Sequence, residues 1–160
     1  MTDLEIRDYQ PGDRAALLAL VRELQAAEGA LYDRMKPPEA IGDWYVDGLL
    51  ESCRTKQGRI LVACDGGAPV GYAVILTEVS SEDELDEIDF TYAYVQDIAV
   101  GARMRRRGIG ARLLGACEEI ARAAGARWLR ISVLSDNQPA VGAYLKTGFK
   151  PLFTELEKPL

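Results

Sequence analysis

The run Ile98-Ala99-Val100-Gly101-Ala102-Arg103-Met104-Arg105-Arg106-Arg107-Gly108-Ile109-Gly110 places an arginine- and glycine-rich turn between two segments of different periodicity. Before it, Tyr92 to Val100 is rich in aromatic and β-branched residues; after it, Ile109, Leu113, Ala116, Ile120 and Ala124 recur at helical spacing, with Gly125 as a stop. A strand, a turn and a helix are therefore predicted, and the chemistry of such a turn is anion binding. The first N–H groups of a helix lack intrahelical acceptors and the macrodipole adds positive potential, so a phosphate placed there satisfies both. Gly108 and Gly110 let the main chain approach it closely, while Arg105, Arg106 and Arg107 add charge to a site whose geometry the backbone sets. Arg-x-x-Gly-x-Gly lacks the Gly-Lys-Ser/Thr ending of the nucleotide P-loop and the three-glycine rhythm of the dinucleotide fingerprint, so a nucleoside triphosphatase is not expected.

The chain has no histidine, which removes His-based triads and the usual zinc catalytic sites. Any base has to be a carboxylate, a tyrosine, a water or a backbone group. Cys53, Cys64 and Cys117 are odd in number and widely spaced, with no Cys-x-x-Cys pair; they read as buried thiols, and neither a disulfide framework nor a metal site is expected.

These groups have to be held by one domain spanning residues 1–160, long enough to bury a core without disulfides or metals. Leu4 to Arg7 reads as a first strand. Pro11-Gly12-Asp13 opens a helix with Leu17, Leu20, Val21 and Leu24 on one face, and Pro37-Pro38 separates it from a second helix near Glu39 to Ser52. Arg59 to Cys64 and Val70 to Val79 form a hairpin across Asp65-Gly66-Gly67. A run too polar for the core, Ser80 to Asp89, leads to the strand Tyr92 to Val100 and the helix Gly108 to Ala124. Trp128 to Val133 is a further strand, Pro139 starts a short helix capped by Asn137 or Gln138 with Gly148 beyond its end, and Phe149 to Leu156 is expected as the last strand.

Hydrophobic content is 48%, no apolar run is long enough to cross a bilayer, and the acidic start Met1-Thr2-Asp3-Leu4-Glu5 is no signal peptide, so a cytoplasmic protein with no membrane partner is expected. The net charge of -6 is unevenly spread: eight acids and no base lie between Glu78 and Asp97, whereas Arg103 to Arg130 carries eight arginines against Glu118 and Glu119. Basic clusters can signal nucleic acid. On a Gly-x-Gly turn in an acidic chain, this one favours a small phosphorylated cofactor instead, and no nucleic-acid partner is expected.

Two blocks carry a family resemblance. Arg105, Gly108 and Gly110, behind the strand end Ile98, Ala99 and Val100, match the Arg/Gln-x-x-Gly-x-Gly/Ala pyrophosphate loop of the GNAT superfamily, the GCN5-related N-acetyltransferases. Asn137, Ala140, Tyr144, Gly148 and Phe149 match its late Asn-x-x-Ala-x-x-x-Tyr-x-x-x-Gly-Phe block, in the expected order and at the expected separation. Ala102 stands where a proline is common and Arg106 where a glycine often sits. The resemblance implies an α/β (α+β) GNAT acyltransferase fold: a mixed central sheet of about six to seven strands flanked by about four helices.

It further implies that acetyl-CoA is the acetyl donor, with its pantetheine arm paired as a pseudo-strand to the backbone of Ile98 to Val100. The pyrophosphate would sit on Arg105 to Ala111, Ile109 included, and Asn137 and Tyr144 would also face the cofactor. Tyr144 becomes the candidate general acid for the departing thiolate. Tyr94 and Gln96 fall where several GNAT enzymes carry Glu or His; glutamine accepts no proton at neutral pH, so the pair is expected to hold a relaying water, with Asp97 and Asp89 as nearby acids. Strand alternation would put Asp97 on the opposite face from Gln96 unless a bulge re-aims it. The segment from Val21 to Glu28, followed by Tyr32 and Trp44-Tyr45, resembles the acceptor region of polyamine acetyltransferases. Glu28, Tyr32, Trp44 and Asp97 are accordingly the substrate-binding candidates. The expected reaction is direct acetyl transfer to a primary amine of a small cationic molecule, with a homodimer as a further expectation. A protein N-terminal or lysine acetyltransferase and a non-catalytic CoA-binding sensor are the alternatives.

Overall fold

The computed structural model describes residues 3–85 and 87–160. The elements run β1 (Leu4–Asp8), α1 (Arg14–Gly29), α2 (Asp43–Thr55), β2 (Arg59–Asp65), β3 (Ala68–Ser80), β4 (Thr91–Val100), α3 (Ile109–Ala123), β5 (Leu129–Ile131) and α4 (Gln138–Lys146). The strands form one sheet in sequential order, antiparallel from β1 to β4 and parallel between β4 and β5. Antiparallel neighbours need only short turns. The parallel pair needs a crossover, and α3 supplies it.

Helices cover both faces, which is why Ile60 to Cys64 reads as a continuous apolar run rather than an alternating one. On one face Ile109, Leu113, Leu114, Cys117 and Ala121 of α3 pack on Leu61, Ala63, Ala73, Ile75, Ala93 and Val95. On the other, Leu17, Leu20 and Val21 of α1 and Val46 and Leu49 of α2 pack on Ile60, Tyr72, Val74, Leu76 and Ala99. All three cysteines are free thiols; burial pushes Cys117 up to about 12 and Cys53 to about 11, so neither is a reactive thiolate.

The β3–β4 register is broken in the middle. Val74 pairs with Asp97 but Ile75 with Val95, so Gln96 is an extra residue with no β3 partner, and the strand changes phase there. Ala93 and Val95 face α3, and beyond the bulge Ile98 and Val100 pack on that side; Tyr94 and then Ala99 face α1 and α2. Asp97 is thereby turned onto the same side as Tyr94.

Two expectations are corrected. The described residues contain five strands, not six to seven, because Phe149 to Leu156 forms no strand. Gly148 adopts φ +98 and the Phe149 N–H donates to the Tyr144 carbonyl at 3.1 Å, closing α4; Pro151 lacks a donor, and the tail runs exposed until Glu157 meets Arg34. The strand expected over Trp128 to Val133 contracts to Leu129–Ile131, since β4 offers it only Ala93 to Val95.

The entry to α1 is fixed by charge. Pro11–Asp13 forms a 3₁₀ turn, and Asp13 accepts both Arg7 terminal nitrogens, at 2.7 and 2.9 Å, and the Gln10 N–H at 2.8 Å. The Arg7 hydrogen bonds lower the Asp13 carboxyl below its ordinary value, helped by the Gln10 N–H. A depressed folded pKa contributes stability that is complete above the unfolded value and is lost as pH falls through the folded one. Asp13→Asn is therefore expected to lose about 1–3 kcal/mol in urea denaturation at neutral pH. The gap from wild type should narrow below about pH 4, where the unfolded carboxyl protonates.

Candidate active site

The turn after β4 is anchored at its start and open at its end. The Gly101 N–H donates to the Val70 carbonyl and the Ala102 N–H to Glu23 of α1, both at 2.9 Å; Arg105 Nε returns to the Val100 carbonyl at 3.0 Å. Arg106 and Gly108 both adopt left-handed backbone, with φ of 59 and 79. That explains why glycine suits position 106; arginine there carries a strain of order ~1 kcal/mol. The first N–H to bond within α3 is that of Arg112, to the Gly108 carbonyl at 3.1 Å. Those of Ile109, Gly110 and Ala111 have no intrahelical acceptor. The guanidinium groups of Arg103, Arg105, Arg106 and Arg107 are exposed and join no ion pair among the described residues. Free N–H groups, a helix N-terminus and unpaired arginines fit a pyrophosphate. A Cβ on Gly110 would lie 3.9 Å from Val100 Cγ2, so the main chain there comes close to the end of β4.

Next to this turn the sheet forks. β5 pairs with β4 only at Ala93, Tyr94 and Val95; from the bulge to Val100 that side of β4 has no strand partner among the described residues, and Tyr94 marks the fork by donating its hydroxyl to Ser132 Oγ at 3.0 Å. An extended pantetheine arm fits the free edge through main-chain hydrogen bonds alone.

On the α1 and α2 side of the fork sits a carboxylate–tyrosine cluster. Asp97, 8% exposed, accepts the hydroxyls of Tyr45 and Tyr72 on the same oxygen, Oδ2, each at 2.9 Å. Burial pushes the Asp97 carboxyl up, and the two phenols and the Ile98 N–H pull it back. Glu28, at the end of α1, is also raised, first by burial and then by the Asp97 charge. Tyr144 of α4, which packs at the edge of the α3-side core, is pushed up to about 12 by burial and then by the charges of Glu28 and Asp97. Its ring packs on Phe149 at 6.0 Å, and its hydroxyl bonds to no protein group among the described residues.

The other sequence-predicted residues are placed less centrally. Gln96 is exposed at the bulge. Tyr32 is engaged by Arg34, which stacks on its ring at 4.5 Å and donates to its hydroxyl at 3.0 Å. Trp44 is 52% exposed and reaches the cluster only through its edge contact with Tyr45 at 5.7 Å. Asn137 caps α4, its Oδ1 accepting the Ala140 N–H at 3.4 Å, so its amide nitrogen remains for another partner. Tyr72 and Ser132 were not among the sequence candidates; a tyrosine inside an apolar strand is itself a signal, because its hydroxyl needs a buried acceptor. A groove of about 490 Å³ adjoins Glu28, walled by residues 29–34, 134–136 and Glu157.

Comparison with known proteins shows the family. The model of the acetyltransferase (GNAT) family matches residues 18–149. A thialysine N-epsilon-acetyltransferase of Sus scrofa is 29% identical over 162 residues, covering 98% of this chain and 89% of that protein. A chloroplastic GCN5-related N-acetyltransferase 7 of Arabidopsis thaliana is 30% identical over 63 residues; that match takes in 39% of this chain and only 23% of the plant protein. The crystal structure of a GCN5-related N-acetyltransferase from Ralstonia eutropha superposes with a TM-score of 0.73 at 22% identity, with 99% of each chain covered. The chain belongs to the GNAT acetyltransferase family. It is an N-acetyltransferase whose acyl donor is acetyl-CoA.

Proposed function

We propose that the acceptor is a primary amine on a small cationic molecule, acetylated by direct transfer in a ternary complex. The observation that carries this reading is the pair Glu28 and Asp97 beside the uncommitted Tyr144 hydroxyl. A carboxylate raised by a neighbouring acid's charge, as Glu28 is by Asp97, is relieved by a cation between them. The name of the pig relative, a thialysine acetyltransferase, points the same way.

Acetyl-CoA supplies the activated acyl group as a thioester. The chain supplies position and protons. The free edge Ile98 to Val100 and the turn Arg105 to Ala111 hold the donor, and a main-chain N–H of that edge faces the developing oxyanion. Glu28 and Asp97 hold the ammonium group and draw its first proton, directly or through a water at Tyr94 and Gln96. Tyr144 gives its proton to the departing sulfur and regains one from the reacting nitrogen. The test is release of free CoA thiol with lysine, thialysine, putrescine and a lysine-containing peptide as acceptors; turnover confined to the peptide would replace this reading by the protein-acceptor one. That alternative has an open groove beside Tyr144 as its signature, and Tyr144 does not line the 490 Å³ groove.

The acidic loop between β3 and β4 adds a longer-range field. Glu82, Asp83 and Glu84 are exposed, while Glu87 lies 3.6 Å from Arg130, whose guanidinium stacks on Tyr92 at 4.2 Å. Asp86 lies outside the described residues. Neutralising Glu84, Asp86 and Glu87 together is expected to raise KM for a cationic acceptor, more at low salt than at high salt. Unchanged KM at both ionic strengths would leave the loop without a role in capture.

Self-association belongs to this proposal as well. It is supported by the exposed apolar tail residues Leu152, Phe153 and Leu156, and light scattering of the purified chain checks it. A cytoplasmic setting is supported by the three free thiols.

A further inference from the structure

We infer that Tyr45 and Tyr72 are positioning residues for the acceptor half of the reaction: their hydroxyls hold one oxygen of Asp97 and aim the other at the acceptor ammonium. This rests on the small-cation reading above, and it gives a use to two phenols that the transfer chemistry leaves unemployed.

The geometry carries it. Both hydroxyls donate to Oδ2 at 2.9 Å, one from α2 and one from β3, so a carboxylate on a third element, the β4 bulge, is clamped from two directions. Tyr72 is fully buried and Tyr45 half-buried, so water does not readily replace either donor. Oδ1 is left free of side-chain partners among the described residues. Gln96, one residue earlier, cannot accept a proton, so the bulge has exchanged a neutral amide for the neighbouring acid as the group presented to the acceptor face.

Tyr45 on α2 and Tyr72 on β3 bond Asp97 directly, with the Ile98 N–H on its own strand, and the Asp97 charge raises Glu28 on α1 and Tyr144 on α4. Burial favours the protonated acid; the phenols and the N–H favour the carboxylate. In the step itself the ammonium N–H bond breaks, its electron pair stays on nitrogen as the nucleophile, and the proton forms an O–H bond on Asp97. After the amide leaves, Asp97 returns that proton to solvent.

Removing one phenol should therefore raise the Asp97 pKa and carry the acid limb of kcat/KM upward. For Tyr45→Phe, Tyr72→Phe and the double variant, kcat/KM is measured from pH 6 to 10 with whichever of lysine, thialysine or putrescine wild type turns over fastest. Each single variant is expected to move the acid limb up by about one pH unit, so that activity on that limb falls by up to about tenfold while the high-pH plateau changes by less than about threefold. The double variant should move it further, and acetyl-CoA affinity should be unchanged in all three. A purely structural role predicts lower stability, an unmoved acid limb and a uniform change in rate; that result in folded variants overturns the inference. If Tyr72→Phe does not fold, Tyr45→Phe alone decides. Wild type that turns over no cationic amine would overturn the acceptor reading and this inference together, whereas an active wild type with unmoved limbs overturns the inference only.

Discussion

Tyr144→Phe is expected to bind acetyl-CoA almost as wild type does and to lose roughly ten- to a thousand-fold in kcat. A positioned general acid contributes ~100- to 10,000-fold, and a water in the vacated place recovers part of that. Phenylalanine keeps the ring and its contact with Phe149, and the hydroxyl it removes has no protein partner among the described residues, so no internal hydrogen bond is broken. The phenol is pushed up to about 12, which keeps its proton in place throughout the working range; no basic limb of the wild-type profile should come from it. Transfer from so weak an acid is completed because the reacting nitrogen, acidic once acylated, returns a proton to the phenolate. A tyrosine serving only the core would give the opposite pattern, with stability lowered and turnover kept. A folded Tyr144→Phe enzyme with near-wild-type kcat would remove the acid from this residue.

Gly110→Asp is expected to weaken acetyl-CoA binding at least tenfold, ~1.4 kcal/mol, measured by calorimetry. The position is informative because its backbone is not left-handed and a Cβ there meets only Val100 Cγ2 at 3.9 Å, so Gly110→Ala should fold and serve as the control for bulk. The carboxylate of the aspartate variant would stand among the free N–H groups of Ile109 to Ala111, where a phosphate is drawn by the helix terminus, and would compete with it for the same donors. Gly108→Asp should weaken binding at least as much, with added strain because Gly108 sits at φ +79. Unchanged affinity in a folded Gly110→Asp protein would move the cofactor phosphates off this turn.

How much of this was legible beforehand depended on how local the cause was. The strand, turn and helix around Arg105 to Gly110 could be read from residues because spacing, glycine and periodicity act within a few positions. The α4 cap at Asn137 and the stop at Gly148 are local in the same way. The last strand was misread for the complementary reason. Phe149 to Leu156 has strand-forming composition, but a strand exists only with a partner edge, and the described chain offers it none.

Asp97 was a candidate from the sequence, but the direction in which it points belongs to tertiary structure. Simple alternation sends Asp97 and Tyr94 to opposite faces; one unpaired residue, Gln96, reverses that phase and turns Asp97 onto the face covered by α1 and α2. Nothing in the spacing of Tyr45, Tyr72 and Asp97, drawn from α2, β3 and β4, announces that they share one oxygen. The sequence alone determined the Arg105 to Gly110 turn and its free N–H groups, because backbone N–H groups at a helix start need only local conformation to point at an anion. The tertiary structure decided the surroundings of Asp97, because a buried carboxylate takes its aim and its donors from neighbours far away in the chain.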